Sequence, residues 1–187
     1  MNHKSEDSAK VLQTRRMLAA QLIRLLENKN FKKITVNDIC QSAMISRSAF
    51  YLHFEDKYHL LHYCLEEELE RWKHAMRNKS VDEFILYILD CVLDKKNFYY
   101  NTIATETDRE VTSMFQKVFQ QFFWNYLKER QEAGCTFPGP LSITSAFYAG
   151  GLATSTAQWI QNDFIIPKEE IAACQKALIS PLIDSMH

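Results

Sequence analysis

The chain has 187 residues, 47% of them apolar and 24% charged, with four Gly and four Pro. That is enough apolar chain to bury one well-packed core or two small ones, and it excludes disorder as the main state. The net charge of −1 hides an uneven split. Residues 1–57 carry ten Lys/Arg against six Asp/Glu, a balance of +4, and residues 58–187 carry twelve against seventeen, a balance of −5. A basic N-terminal module on an acidic body is a modest pointer to a polyanionic partner.

The opening "MNHKSEDSAKVLQTRRML" has no continuous apolar segment behind its basic residues, and no later stretch approaches the ~18 apolar residues of a membrane span. The expectation is a cytoplasmic protein with no membrane partner. Five cysteines, Cys40, Cys64, Cys91, Cys135 and Cys174, form no C-x-x-C pair. An odd, scattered set argues against a disulfide framework or a structural zinc site, and most are expected to be small buried hydrophobes.

In chain order, Val11, Leu18, Leu22, Leu25 and Leu26, with Ala19 beside them, recur at three- and four-residue spacing, which predicts a helix from Ser8 to Asn28 with one buried stripe. "ENKNFKKI" breaks it, and Phe31 and Ile34 plug back into the core. Thr35 and Asp38 form a capping-box pattern opening a short helix in which Val36, Ile39, Cys40 and Ala43 face inward. Ser46, three residues beyond Ala43, caps another. Two helices joined so tightly must cross at a large angle, the helix-turn-helix arrangement. Asp56 caps a fourth helix running to about Asn78, striped by Leu60, Leu61, Cys64, Leu65, Leu69 and Trp72. Further helices are expected near 81–94, 97–109 and 110–132. A Gly- and Pro-bearing loop follows at "EAGCTFPGPL", then two last helices, Ser142–Asn162 and Lys168–Met186. No strand alternation and no internal repeat is visible, so the fold class is all-α.

The stretch "SAMISRSAFYLHFEDK" carries the chemistry. A helix of this length is marginal alone, so Ile45, Phe50 and Phe54 must anchor it on its neighbours, and its outward residues are then held rigidly. Such a helix fits the major groove of DNA with its N-terminal residues nearest the base edges. Arg47 has the planar fork that matches guanine O6 and N7, Ser48 can donate or accept, and Ala49 offers a methyl to a thymine methyl. Tyr51 and His53 are placed for phosphates, as are Lys57 beside the start of helix four and Thr35 at the start of helix two. The competing reading is a merely solvated helix surface.

These residues also carry a family likeness. "TVNDICQSAMISRSAFYLHFEDKYHLL" resembles the DNA-binding domain of the TetR family, whose T-V-x-x-I-A-x-x-A-G-V-S-x-G-T-x-Y-x-H-F-x-x-K-x-x-L pattern is matched at Thr35, Val36, Ile39, Ala43, Ser46, Tyr51, His53, Phe54, Lys57 and Leu60. The likeness reaches back through "TRRMLAAQLIRLL". Among the departures from it, Met44 stands where the pattern has its turn glycine, and Ser48-Ala49 where it has G-T. The resemblance implies an N-terminal three-helix DNA-binding domain, about residues 1–57, with helix four (about 56–78) as connector. Residues 79–187 would then form a helical effector-binding and dimerisation domain. It also implies a small-molecule effector, a homodimer, double-stranded operator DNA as partner, and no cofactor.

Within the body, the residues support two of these expectations. Ala146, Gly150, Ala153 and Ala157 share one helix face, and Ile171, Leu178 and Leu182, with Cys174, stripe the last helix, so two helices from each chain could pack as a four-helix bundle. The Tyr148-to-Trp159 pattern also resembles one C-terminal subfamily of TetR regulators. Phe98, Tyr99, Phe115, Phe119 and Phe122, with Tyr100 and Tyr126 nearby, are candidates for an effector pocket with a flat or apolar ligand, although such a stripe is more often core. A ligand-responsive repressor binding a near-palindromic operator is therefore expected, with ligand coupled to DNA through helix four. Two rivals are a TetR-like co-regulator working through protein contacts and a metal sensor using His59, His62 and Cys64; helical spacing turns Cys64 away from the two histidines. No nucleophile elbow, phosphate loop or zincin motif suggests an enzyme.

Overall fold

The computed structural model describes residues 3–75, 79–104, 109–137 and 139–184, with the side chains at 3–8, 104, 109 and 180–184 outside it. Among the described residues every regular element is helical.

The first part of the chain is built on α1 (His3–Leu26), a 3-10 turn (Phe31–Lys33), α2 (Val36–Ala43) and α3 (Arg47–Tyr51). Leu18, Leu22 and Leu26 are fully buried, and Phe31 and Ile34 close the core beneath them. The stripe begins at Leu18 rather than Val11, which is 46% exposed. Residues 9–13 are all exposed, so the first turns of α1 run past the helices it packs on. At the start of α2, the Thr35 hydroxyl accepts from the Asp38 N–H at 3.1 Å, and the Asp38 carboxylate accepts from the Thr35 N–H at 2.8 Å. This reciprocal pair is the capping box that the spacing predicts.

The end of α2 sets the angle of α3. Met44 is left-handed, φ 54° and ψ 41°. Its N–H donates to the Gln41 carbonyl at 3.2 Å, and the next N–H, of Ile45, to the Cys40 carbonyl at 3.0 Å. This pair of bonds is the Schellman cap, which normally places glycine at the left-handed residue. The end of α7 shows the same pair with the usual residue: Gly134, φ 100°, donates to Gln131 and Cys135 to Arg130. Met44 therefore carries the strain that Gly134 avoids. Its side chain is 92% exposed, so no packing offsets that strain.

The body consists of α4 (Lys57–Ala75), α5 (Val81–Asp94), α6 (Lys96–Tyr99), a π turn (Tyr100–Ala104), α7 (Arg109–Glu132), α8 (Leu141–Gln161) and α9 (Lys168–Asp184). Asp56 caps α4 by accepting from the His59 N–H at 2.8 Å. The predicted stripe from Leu60 to Trp72 is buried throughout, and α4 packs on α1 with one end and on α7 with the other. α7 and α8 lie along each other, and α9 covers α5 and α8. The single helix expected at 97–109 is instead four residues of α6 followed by the π turn, with 105–108 outside the described residues. Of the cysteines only Cys40 and Cys64 are buried; Cys91 and Cys135 are half-buried and Cys174 is exposed.

Replacing Met44 with glycine should stabilise the fold by about 1 kcal/mol, the strain of a left-handed non-glycine residue less the extra chain entropy of glycine. For a chain of this size that is a rise in melting midpoint of roughly 2–4 °C by differential scanning calorimetry.

Candidate nucleic-acid interface

The Ser46 hydroxyl caps α3 by accepting from the Ala49 N–H at 3.1 Å. Phe50 and Phe54 are fully buried, with ring centroids 5.9 Å apart, and Ile45 packs partly against the same core. Phe54 also meets Tyr63 of α4 at 5.7 Å and His59 at 5.3 Å. Five residues of helix are thus held from inside by aromatic contacts to α4, which leaves the other face fixed and outward. On that face Ser46, Arg47, Ser48 and Tyr51 are exposed, while Ala49 and His53 are half-buried. The Arg47 Nη2 donates to the Tyr51 hydroxyl at 3.3 Å one turn on. That bond preorders the guanidinium and leaves its remaining donors directed outward. Thr35 is also exposed, at the N-terminus of α2.

Lys57 does not share this arrangement. Its ammonium donates to the carbonyls of Phe31, Lys32 and Ile34 at 2.9, 3.1 and 2.9 Å, and it lies 4.6 Å from the centroid of the Phe31 ring. An ammonium has three donors, so here all three are spent on the 3-10 turn. The phosphate role expected of Lys57 gives way to a tether that ties α4 to the loop before α2. Lys29 is likewise engaged, 2.8 Å from Asp38; this bond and those from Thr35 hold the Asp38 carboxyl down at about 2.

Sequence reasoning missed Arg15. Its guanidinium sits over the rings of both Phe54 and Tyr63, at 5.0 and 4.5 Å, linking α1 to the residue that anchors the recognition helix. It also missed a latch between the two parts of the chain. Asn30 donates to the Asn101 carbonyl at 3.1 Å, Asn101 donates back to the Leu26 carbonyl at 2.8 Å, and Asn97 donates to the Glu27 carboxylate at 3.2 Å. Lone asparagines in a stretch read as plain helix carry no periodic signal that would have revealed this.

The aromatic candidates for an effector pocket are all buried and packed ring on ring. Phe84 stacks on Phe122 at 4.1 Å, Trp72 meets Phe119 at 5.4 Å, and Tyr99 meets Phe98 and Phe115 at 5.0 and 6.0 Å. Phe122 alone among them also lines a cleft of about 430 Å³ between α4 and α7, whose rim is polar and includes Glu70, Lys73, His74, Tyr126 and Glu129. Of the candidate dimer residues, Ala146 is exposed, Gly150 and Ala157 are half-buried, and Leu178 is 69% exposed. Ala153 and Ile171 instead point into their own core, and the side chain of Leu182 lies outside the described residues. Two residues not anticipated join the outward set, Ile143 at 67% and Phe147 at 73% exposed, one turn apart on α8. The metal-sensor trio is dispersed: Cys64 is buried, His59 accepts from the Glu55 N–H, and His62 pairs with Glu66. No helix among the described residues is long and apolar enough to cross a membrane.

A capped recognition helix, presented by a three-helix head and carried on an all-helical body, defines a helix-turn-helix DNA-binding regulator. Residues 79–180 match the family described as a transcriptional regulator C-terminal region, and residues 19–64 match the bacterial regulatory proteins of the tetR family. The chain belongs to the TetR family of transcriptional regulators. No curated protein matches it in sequence. Among solved structures it is similar to a TetR transcriptional regulator from Streptococcus agalactiae (18% identity, 95% of this chain and 99% of that one, TM-score 0.65). It is also similar to the dihydroxyacetone kinase operon activator DhaS (18%, 90% and 97%, 0.62) and to FadR from Bacillus subtilis, solved with stearoyl-CoA (14%, 92% and 99%, 0.62). At these identities the likeness is one of fold.

Substituting Lys57 by Met should lower the melting midpoint by about 3–12 °C. Bonds to a charged donor contribute roughly 1.5–3 kcal/mol, and three carbonyls lose their partner at once. Arg47→Ala should leave the midpoint unchanged, and the pair measured side by side separates the tether from the reading face.

Proposed function

We propose that this regulator binds a near-palindromic operator as a homodimer and is released from it by a small effector, acting as a ligand-responsive repressor. The observation that carries the DNA reading is the rigid outward face of α3, with Arg47 preordered by Tyr51 and no acidic side chain from Ser42 to Phe54. In this reading Arg47 and Ser48 meet base edges, with Ala49 against a thymine methyl. Thr35, Ser46, Tyr51 and His53 hold phosphates, and the two recognition helices occupy successive major grooves about one helical turn apart. Repression is the simplest output, because a dimer seated on a promoter excludes polymerase.

Dimerisation is supported by the outward strip of α8 and α9. Ile143, Phe147 and Leu178 expose large apolar side chains beside Ala146 and Gly150, and an exposed apolar patch of this kind marks an interaction surface. Coupling between body and head has two supports in the structure: α4 itself, and the Asn30–Asn101 and Asn97–Glu27 bonds between the π-turn region and the end of α1. An effector that repositions α6 and the π turn would load both.

Selection of bound sequences from random DNA should return a symmetric site with two half-sites. Arg47→Ala removes one bidentate base contact, ~1–3 kcal/mol, from each half-site and should weaken the affinity of the dimer by roughly 30-fold or more at fixed salt. Unselected DNA bound as tightly as the selected site, or an Arg47→Ala protein of undiminished affinity, would reject the direct-readout reading and favour a co-regulator acting through protein contacts. Phe147→Asp should convert the particle seen by light scattering from two chains to one, with the helical circular-dichroism spectrum kept.

A further inference from the structure

Among the described residues, the two most exposed large apolar side chains, Met44 at 92% and Leu52 at 83%, both belong to the head and flank α3. The exposure of Met44 follows from the left-handed cap that it occupies. Leu52 is different. Its backbone is ordinary right-handed helix, φ −70° and ψ −19°, and the turn that carries it is fixed. The N–H of Leu52 donates to the Ser48 carbonyl at 3.3 Å, those of His53 and Phe54 donate to the Phe50 carbonyl at 2.9 and 3.1 Å, and Phe54 is buried. The isobutyl group joins no part of the core. A rigid backbone thus holds a large apolar group out in water, on the surface that faces DNA.

Residues four apart on a helix share a face. Arg47 and Tyr51 form one such row, closed by their hydrogen bond, and Ser48 and Leu52 form the exposed row beside it. The outward face is therefore continuous from Arg47 to Leu52, polar at its N-terminal end and apolar one turn beyond Ser48. In the major groove, the base edges offer donors, acceptors and a single kind of apolar group, the C5-methyl of thymine. An isobutyl group laid over a donor or an acceptor strips its water and returns no bond. Laid over a methyl, it removes apolar surface from water on both sides.

We infer that Leu52 is a specificity-determining residue that packs on a thymine C5-methyl, and that each half-site carries this thymine about two base pairs from the pair contacted by Arg47. Leu52 lies five residues beyond Arg47, about 7.5 Å along the helix axis, which is close to two base steps of ~3.4 Å. The inference rests on the DNA reading proposed above and adds an apolar determinant to its polar one. Ala49, half-buried and carrying only a methyl, meets a thymine by close approach alone. Leu52 carries its apolar group outward on a longer stem, so the two residues meet different base pairs.

The test uses the full-length protein and the symmetric site returned by selection. Selection repeated with Arg47→Ala marks the Arg47 base pair as the position where preference relaxes. Each thymine is then replaced in turn, in both half-sites, by deoxyuridine, which lacks only the methyl and keeps every donor and acceptor. Affinities of wild type and Leu52→Ala are measured at fixed salt. Deoxyuridine about two base pairs from the Arg47 pair should weaken the wild type about fourfold per half-site, about fifteenfold for the two, and weaken Leu52→Ala less than about twofold. Leu52→Ala should melt within about 2 °C of wild type, because the group that it loses is exposed. Three results overturn the inference: a half-site with no thymine at that distance, deoxyuridine losses equal in the two proteins at every position, or a Leu52→Ala protein that binds the thymine site as tightly as wild type. If Arg47→Ala weakens binding and no deoxyuridine couples to Leu52, this inference alone falls. If Arg47→Ala binds undiminished while one deoxyuridine couples to Leu52, the guanine contact falls and the methyl contact stands.

Discussion

The left-handed turn at Met44 is the constraint from which the DNA-binding head follows. One residue with positive φ ends α2, reverses the chain direction and delivers Ser46 where its hydroxyl can cap α3. Without that reversal Phe50 and Phe54 could not both reach the α1–α4 core, and the outward face of α3 would have no rigid base. The chain uses the same cap at the end of α7, with Gly134, and at the end of α8, where Asp163 at φ 51° donates to Ile160 and Phe164 to Trp159. Among the described residues, only in the head does a long apolar side chain occupy the left-handed position in full solvent. The turn geometry is therefore set by the hydrogen bonds and by the burial on either side of it, and residue 44 tolerates what they impose.

Around this turn the cations divide into two groups. Lys57, Lys29 and Arg15 are engaged within the protein, by carbonyls, a carboxylate and aromatic faces respectively. Arg47 faces outward, bonded only to a neighbour on its own helix. The head thus separates charge that holds the fold from charge available to a polyanion, and a count of Lys and Arg over residues 1–57 overstates the second. The sequence motif is the same for both, since a Lys that clamps a loop and a Lys that meets a phosphate occupy the same place in the pattern.

The fold was legible because its signals are local. Stripes at three- and four-residue spacing marked α1, α4, α8 and α9, and the Thr35, Ser46 and Asp56 caps placed three helix starts to within a residue. The α3 face was legible for the same reason: capping and spacing alone decide which of its residues point outward. The body's sites were not. Whether Ala153 faces its own core or another chain depends on where α7 lies, and Phe98 and Phe122 look alike in sequence whether they line a pocket or stack on Phe84. Trp72 was read as an ordinary station on an amphipathic stripe, and the buried, paired carboxylate of Glu68 one turn before it was not anticipated, because burial and pairing depend on the surrounding helices and leave no mark on spacing.

The π turn at Tyr100–Ala104 gives the molecule an unusual sensitivity to length. A π turn holds one residue more than the α turn it replaces, and along a helix each residue advances about 100° around the axis. The azimuth at which Asn101 meets Leu26 is thus set by an inserted residue as well as by side-chain identity. In this segment a one-residue deletion is a rotation: it would swing the asparagine most of a quadrant or more off its carbonyl, whereas the same deletion in the Gly- and Pro-bearing loop before α8 would be absorbed as slack.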